Sequence, residues 1–123
     1  MDIRTVLIVE DSPSQREMMA HLLQSGRLTV MTASNGVEAL EQVQLRLPDL
    51  IILDVVMPQM NGYEVCRRLK SDPKTHHLPI LMCSSKAEDF DRYWGLKQGA
   101  DAYIEKPFEP MELVTTVKNF LRF

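Results

Sequence analysis

Cysteine is scarce in this 123-residue sequence: Cys66 and Cys83 stand far apart and outside any Cys-x-x-Cys spacing. That excludes a zinc ribbon or a disulfide framework and leaves two reduced packing thiols. Long apolar runs are missing as well. The first, Val6 to Val9, is cut at once by Glu10 and Asp11, too short for a signal-peptide core and far too short to cross a bilayer. No membrane insertion is expected, and the cytoplasm is the expected compartment. Positive charge is not in excess either. A formal net charge of -3 provides no field to hold nucleic acid or an anionic membrane, so the fold itself is not expected to bind nucleic acid directly. Internal repeats, low-complexity stretches and linkers are also lacking, and 123 residues with 45% hydrophobic content make one domain's worth of chain, spanning 1–123.

What is present is a regular alternation. Thr5–Val9, Leu28–Ala33, Leu50–Leu53, Pro79–Cys83 and Ala102–Glu105 are short apolar or β-branched runs of strand length. Each is followed by a helical pattern. Ser12, Pro13 and Gln15 read as a capping box with proline at the first helical position, Met18, Met19, Leu22 and Leu23 as the apolar stripe, and Gly26 as the stop. Asn35 with Glu38 starts a second helix carrying Val37, Leu40, Val43 and Leu47, ended by Pro48; Asn61 with Glu64 starts a third. A fourth runs roughly from Glu88 to Gln98 with Phe90, Trp94 and Leu96 as its apolar residues. A fifth starts at Pro110 with Leu113, Val114, Val117, Phe120 and Leu121. Strands apolar on both sides require helices on both faces of a parallel sheet, so the expected fold is a doubly wound five-stranded α/β domain.

In such a sheet the ligand crevice lies at the carboxyl ends of the strands, where strand order reverses. Glu10 and Asp11 follow the first strand and Asp54 ends the third, and the flavodoxin-like order 2-1-3-4-5 makes those strands neighbours. Two carboxylates about 4 Å apart repel by roughly 4 kcal/mol at an effective dielectric of 20, so the cluster must protonate or recruit a cation. All-oxygen ligation favours magnesium, manganese or calcium over zinc, and a small site that keeps coordinated waters and accepts phosphoryl oxygens suits magnesium best. Ser84 follows the fourth strand and Lys106 the fifth. Each has a plainer explanation: acids favouring a helix N-terminus, a hydrogen-bonded Asp, a capping hydroxyl, a solvated lysine. Together they form a phosphoryl-transfer constellation, in which a carboxylate attacks phosphorus while a metal and a lysine neutralise charge.

Glu10-Asp11, Asp54, Met57-Pro58 with Met60-Asn61-Gly62, Ser84 and Lys106-Pro107 resemble the receiver domains of two-component response regulators over the whole chain. The resemblance implies a phosphorylation-dependent switch rather than an enzyme acting on an external substrate. Asp54 would be the phosphoacceptor, Glu10 and Asp11 the metal-binding acids, and the Val56 carbonyl a further metal ligand. Lys106 would contact the phosphoryl group, Ser84 and Tyr103 would carry the switch, and Lys106-Pro107 would be cis. It implies a histidine kinase or phosphotransfer protein as donor and a downstream protein target on the face of the fourth helix, fifth strand and fifth helix. With no effector segment after the fifth helix, and with Trp94 to Gly99, the chain is similar to stand-alone receivers of the chemotaxis or twitching-motility type. Val56 and Lys86 depart from family variants that assist hydrolysis of the phosphoryl group.

Two other readings stay open. A haloacid-dehalogenase-type phosphatase also uses a strand-end Asp, but Val56 occupies the place of its general acid. A phosphorylation-independent binding module would keep the fold without the chemistry. His76 and His77 read as solvated loop residues, Arg67, Arg68 and Lys70 as the wet face of the third helix, and Met18, Met19, Met31 and Met82 as core filler.

Overall fold

The computed structural model describes residues 3–25, 27–86 and 88–122; Gly26, expected to stop the first helix, lies outside them. Strands and helices alternate: β1 (Arg4–Val9), α1 (Pro13–Leu23), β2 (Leu28–Ala33), α2 (Gly36–Leu45), β3 (Leu50–Leu53), α3 (Gly62–Ser71), β4 (Ile80–Ser84), α4 (Asp89–Lys97), β5 (Ala102–Glu105) and α5 (Pro110–Leu121). The five strands form a parallel sheet in the order β2-β1-β3-β4-β5, the expected doubly wound arrangement. Registry sets the functional edge. Val9 pairs with Leu53, Leu53 with Met82, and Ser84 with Glu105, so Glu10, Asp54, Ser84 and Lys106 all fall at the carboxyl ends of adjacent strands.

The two-residue period of a strand divides the core. Val6 and Ile8 of β1 join Leu50 and Ile52 of β3 under α1 and α5, where Met19, Leu23, Leu113, Val117 and Leu121 are buried. Leu7, Val9, Ile51 and Leu53 face the other way, against Ala39 and Val43 of α2 and Val65, Cys66 and Leu69 of α3. Helix starts follow the capping chemistry: Ser12, Asn35 and Asn61 side chains accept the Gln15, Glu38 and Glu64 N–H groups at 3.4, 2.8 and 3.0 Å. Each such cap contributes about 1 kcal/mol.

Helix faces depart from expectation at several positions. Met18 and Val37 are 44% and 45% exposed, and Leu47 lies beyond α2 and is 51% exposed. The largest reversal is in α4. Its buried residues are Asp91 and Gly95, whereas Phe90, Tyr93, Trp94 and Leu96 face solvent. Close approach explains this: a Cβ on Gly95 would stand 2.8 Å from Met82 Sδ and 3.1 Å from the Tyr103 ring. The helix can press on the sheet only through glycine, which turns the aromatics outward, with the Phe90 and Trp94 rings stacked 6.4 Å apart. Lys70 is not part of a wet face either. Its ammonium donates to the Leu78 carbonyl at 2.8 Å and pairs with Asp101 at 3.1 Å, tying α3 to the chain entering β4 and β5.

Candidate functional site

The β1–α1 turn and the end of β3 bring three acids together. Backbone bonds fix them: Glu10 N–H donates to Ala33 O and Asp54 N–H to Val9 O, both at 3.1 Å. One carboxylate oxygen from each of Glu10, Asp11 and Asp54 lies within 4.8 Å of the others. Glu10 and Asp54 are buried, 2% and 8% exposed, while Asp11 is open to solvent. α3 braces this edge from behind, since Gly62 N–H donates to Val55 O at 2.9 Å and a Cβ on Gly62 would stand 2.2 Å from the Asp54 carbonyl oxygen. Asp54 itself accepts the Val56 N–H at 3.3 Å through Oδ1.

Lys106, reached through the end of β5, crosses to the acids, and its peptide bond to Pro107 is cis. Its ammonium donates to Glu10 Oε1, to Gln15 Oε1 at 2.6 Å and to Asp54 Oδ2 at 3.4 Å. The side chain is only 13% exposed, so it is not the solvated lysine that a lone loop position would suggest. Burial alone would drive its charge off, but the hydrogen bond to Glu10 and the charges of Asp54 and Glu10 prevail and hold its pKa above the ordinary value. For Glu10 burial prevails. It lifts the carboxyl above the usual range, with the Asp54 charge adding to it, against the Lys106 and Ser12 hydrogen bonds.

Beside the acids, Ser84 is fully buried as the last residue of β4 rather than following it. Its Oγ accepts the Lys86 N–H at 3.2 Å, closing the turn, and its neighbour Ser85, not Ser84, lines the open cleft. The half-buried Tyr103 points its hydroxyl at the Lys86 carbonyl. Burial, then the neighbouring Tyr63 and Asp91, raise the Tyr103 pKa well beyond the ordinary phenol range, opposed by a hydrogen bond with Ser84. Tyr63 in turn donates to Asp91 of α4, at 3.3 Å to its carbonyl and 3.4 Å to Oδ1. Tyr63 and Asp91 thus tie α3 to α4, and Ser84 and Tyr103 both hold the Lys86 turn that leads into α4.

A model of the response regulator receiver domain matches residues 6–118. The chain belongs to that family. It is 41% identical over 119 residues to the alkaline phosphatase synthesis transcriptional regulatory protein PhoP of Bacillus subtilis, covering 97% of this chain and 49% of PhoP. The chain therefore spans about half the length of that regulator. The receiver domain of a signal transduction histidine kinase from Syntrophus aciditrophicus superposes with a TM-score of 0.89 at 39% identity, covering 97% of this receiver and 90% of that chain. The Vibrio cholerae chemotaxis protein CheY4 superposes with a TM-score of 0.90 at 36% identity, covering 96% and 98%. Similarity to both PhoP and CheY4 leaves the expected chemotaxis-like subtype unsupported as the narrower assignment.

The receiver's acids form an all-oxygen donor set at the mouth of a cleft of about 520 Å³, which fits a hard divalent cation. Val56 lines the same cleft and is 52% exposed. Sequence reasoning missed Gln15. Its spacing from Ser12 points to the helix cap, but the Ser12 N–H donates instead to Glu10 Oε2 at 3.1 Å, so only half of the capping box forms and the Gln15 carboxamide is free to meet Lys106. The signal available was its place one turn into α1, directly after the acid pair. Cys66 and Cys83 are buried, as expected of packing thiols. Among the described residues no helix is long and apolar enough to cross a membrane.

Proposed function

We propose that this receiver accepts a phosphoryl group on Asp54 from a histidine kinase or phosphotransfer protein and signals through α4, β5 and α5. The observation that carries this reading is the approach of Lys106 to Asp54 beside the Glu10, Asp11 and Asp54 cluster. A half-buried lysine paired with Glu10 and Asp54 is poised to take charge from an incoming phosphoryl oxygen. In the transfer, an Asp54 carboxylate oxygen attacks phosphorus and the donor's P–N bond breaks. The imidazole leaves with the electron pair, and an acyl phosphate remains.

Glu10, Asp11 and Asp54, with the Val56 carbonyl, would hold magnesium, or manganese in its place. Such an ion supplies charge neutralisation for the carboxylates and the transferred oxygens. Lys106 keeps one N–H directed at Asp54, and Gly62 fixes the backbone that aims the carboxylate. Ser84 ends β4, the strand paired with β3, and would turn its hydroxyl toward a phosphoryl oxygen. Doing so would loosen its bond to the Lys86 N–H, and the turn whose Lys86 carbonyl holds the Tyr103 hydroxyl would pass that change to α4 as a biased two-state equilibrium. Arg92 of α4 also reads Tyr103, lying 5.5 Å from its ring centre and 3.6 Å from Glu105.

The test is incubation with acetyl phosphate and magnesium followed by intact mass. One phosphoryl adduct is expected on the parent, none on Asp54→Asn and none when magnesium is chelated. An unmodified parent would leave a phosphorylation-independent binding module as the better reading. Amide exchange with beryllofluoride and magnesium tests the output face. Changed protection from β4 through α5 supports it, and change confined to the surroundings of Asp54 rejects it.

A further inference from the structure

We propose that Gln15 is a positioning residue for Lys106, acting as the neutral anchor that keeps the ammonium aimed at Asp54; this rests on the reading of Asp54 as phosphoacceptor. An ammonium has three donors and no acceptor. Lys106 directs them at Glu10 Oε1, Gln15 Oε1 and Asp54 Oδ2. Two of these partners belong to the acidic cluster, so a bound cation would draw on the carboxylates that hold Lys106, and phosphorylation would alter the Asp54 group that it meets. Gln15 carries no charge and stands outside that cluster. It is the one partner whose bond to Lys106 survives the loading of the site.

The surroundings make Gln15 suited to that task. Glu10 answers two demands at once, Oε2 receiving the Ser12 N–H and Oε1 receiving Lys106, so it cannot follow the ammonium when Asp54 changes state. The start of α1 is fixed by the Ser12 cap, by Pro13 at the first helical position and by the Arg16 guanidinium, which donates to the Glu10 carbonyl at 2.8 Å. Gln15 therefore projects from a fixed turn into the cleft that Glu10 also lines. The amide orientation is dictated too, since only its oxygen can accept from Lys106. Without this anchor the third donor would turn to water or fall onto Asp54, pairing tightly with the carboxylate that has to attack phosphorus.

The experiment compares phosphorylation rates with acetyl phosphate at saturating magnesium, followed by intact mass over hours so that slow variants still yield a rate. Gln15→Met keeps the side-chain length and removes the acceptor. Its rate should fall about five- to tenfold, the range for a partly exposed charge-assisted hydrogen bond, with an unchanged melting temperature. Gln15→Glu supplies an acceptor but adds a charge that competes with Asp54 for the ammonium, so it should stay below the parent rate, and a full parent rate would overturn the neutral-anchor reading. In a Lys106→Met background the Gln15→Met change should have no further effect, because Gln15 acts only through Lys106. A Gln15→Met rate equal to the parent's, or an equal slowing with Lys106 already removed, overturns the proposal and leaves the Asp54 reading standing. A parent that gains no phosphoryl group overturns the Asp54 reading itself.

Discussion

Gly62→Ala separates two physical effects of opposite sign. Gly62 opens α3 without a left-handed backbone, so alanine should gain helix propensity there, by at most about 1 kcal/mol. Against this, the new Cβ would stand 2.2 Å from the Asp54 carbonyl oxygen and 2.9 Å from Val55 Cα, both backbone atoms at the end of β3. The first is about 1 Å inside van der Waals contact and the second about 0.5 Å, and neither atom can rotate away. Relief requires α3 or the Asp54 turn to move, a distortion of the overpacking kind that costs about 1–3 kcal/mol, with this contact at the upper end. The net expectation is a loss of about 2 kcal/mol, or roughly 5–10 °C in melting temperature for a domain of this size. Urea unfolding followed by far-UV circular dichroism measures it. Gly36→Ala is the control, because its nearest neighbour is the Val65 Cγ2 side-chain methyl at 2.7 Å, with Met60 atoms at 3.3 Å. It should cost clearly less. A Gly62→Ala protein as stable as the parent, or a Gly36→Ala protein equally destabilised, would refute the argument from close backbone approach.

Magnesium should raise the melting temperature of the parent, since the cation offsets carboxylate repulsion only when the acids are gathered by folding; Asp11→Ala should lose most of that response, and an undiminished response would displace the metal site. On the alkaline side, burial raises the Cys66 thiol from 9.0 to about 11 and the Cys83 thiol to about 12. The unfolded chain ionises first, so the contribution is intact below about pH 9 and is lost as pH rises through the folded values, by about 1.4 kcal/mol per pH unit for each thiol. Urea midpoints between pH 8 and 10.5 should fall, with a shallower slope in Cys66→Ala; a flat profile would contradict the buried-thiol account. Val56→Asn should speed loss of the phosphoryl group by placing a polar side chain where an exposed valine cannot orient water, and an unchanged or slower loss refutes it.

Much of the fold was legible because local and global signals agree. Ser12, Asn35 and Asn61 announce helix starts that the hydrogen bonds bear out, and the apolar run Leu50–Leu53 is buried on both faces as a central parallel strand requires. The α4 face was not legible, because its orientation is set by Gly95 against Met82 and Tyr103, a contact between distant segments that no local periodicity encodes. The acids, Ser84 and Lys106 could be placed from the strand ends alone, since parallel register carries each to one edge. Gln15 escaped because a local capping pattern explained it sufficiently, until Glu10 took the Ser12 N–H in its place. The depth of Ser84 and its bond to Lys86 likewise depend on a turn geometry that the residue type does not reveal.

The most direct test of the central claim is to trap the acyl phosphate. After reaction with acetyl phosphate and magnesium, borohydride reduces a phosphorylated aspartate to homoserine, and peptide mapping locates the converted residue. Conversion at position 54, dependent on magnesium and strongly reduced in Lys106→Met, is the predicted result. Conversion at Asp11 or another acid, or no conversion in the parent, would contradict the account.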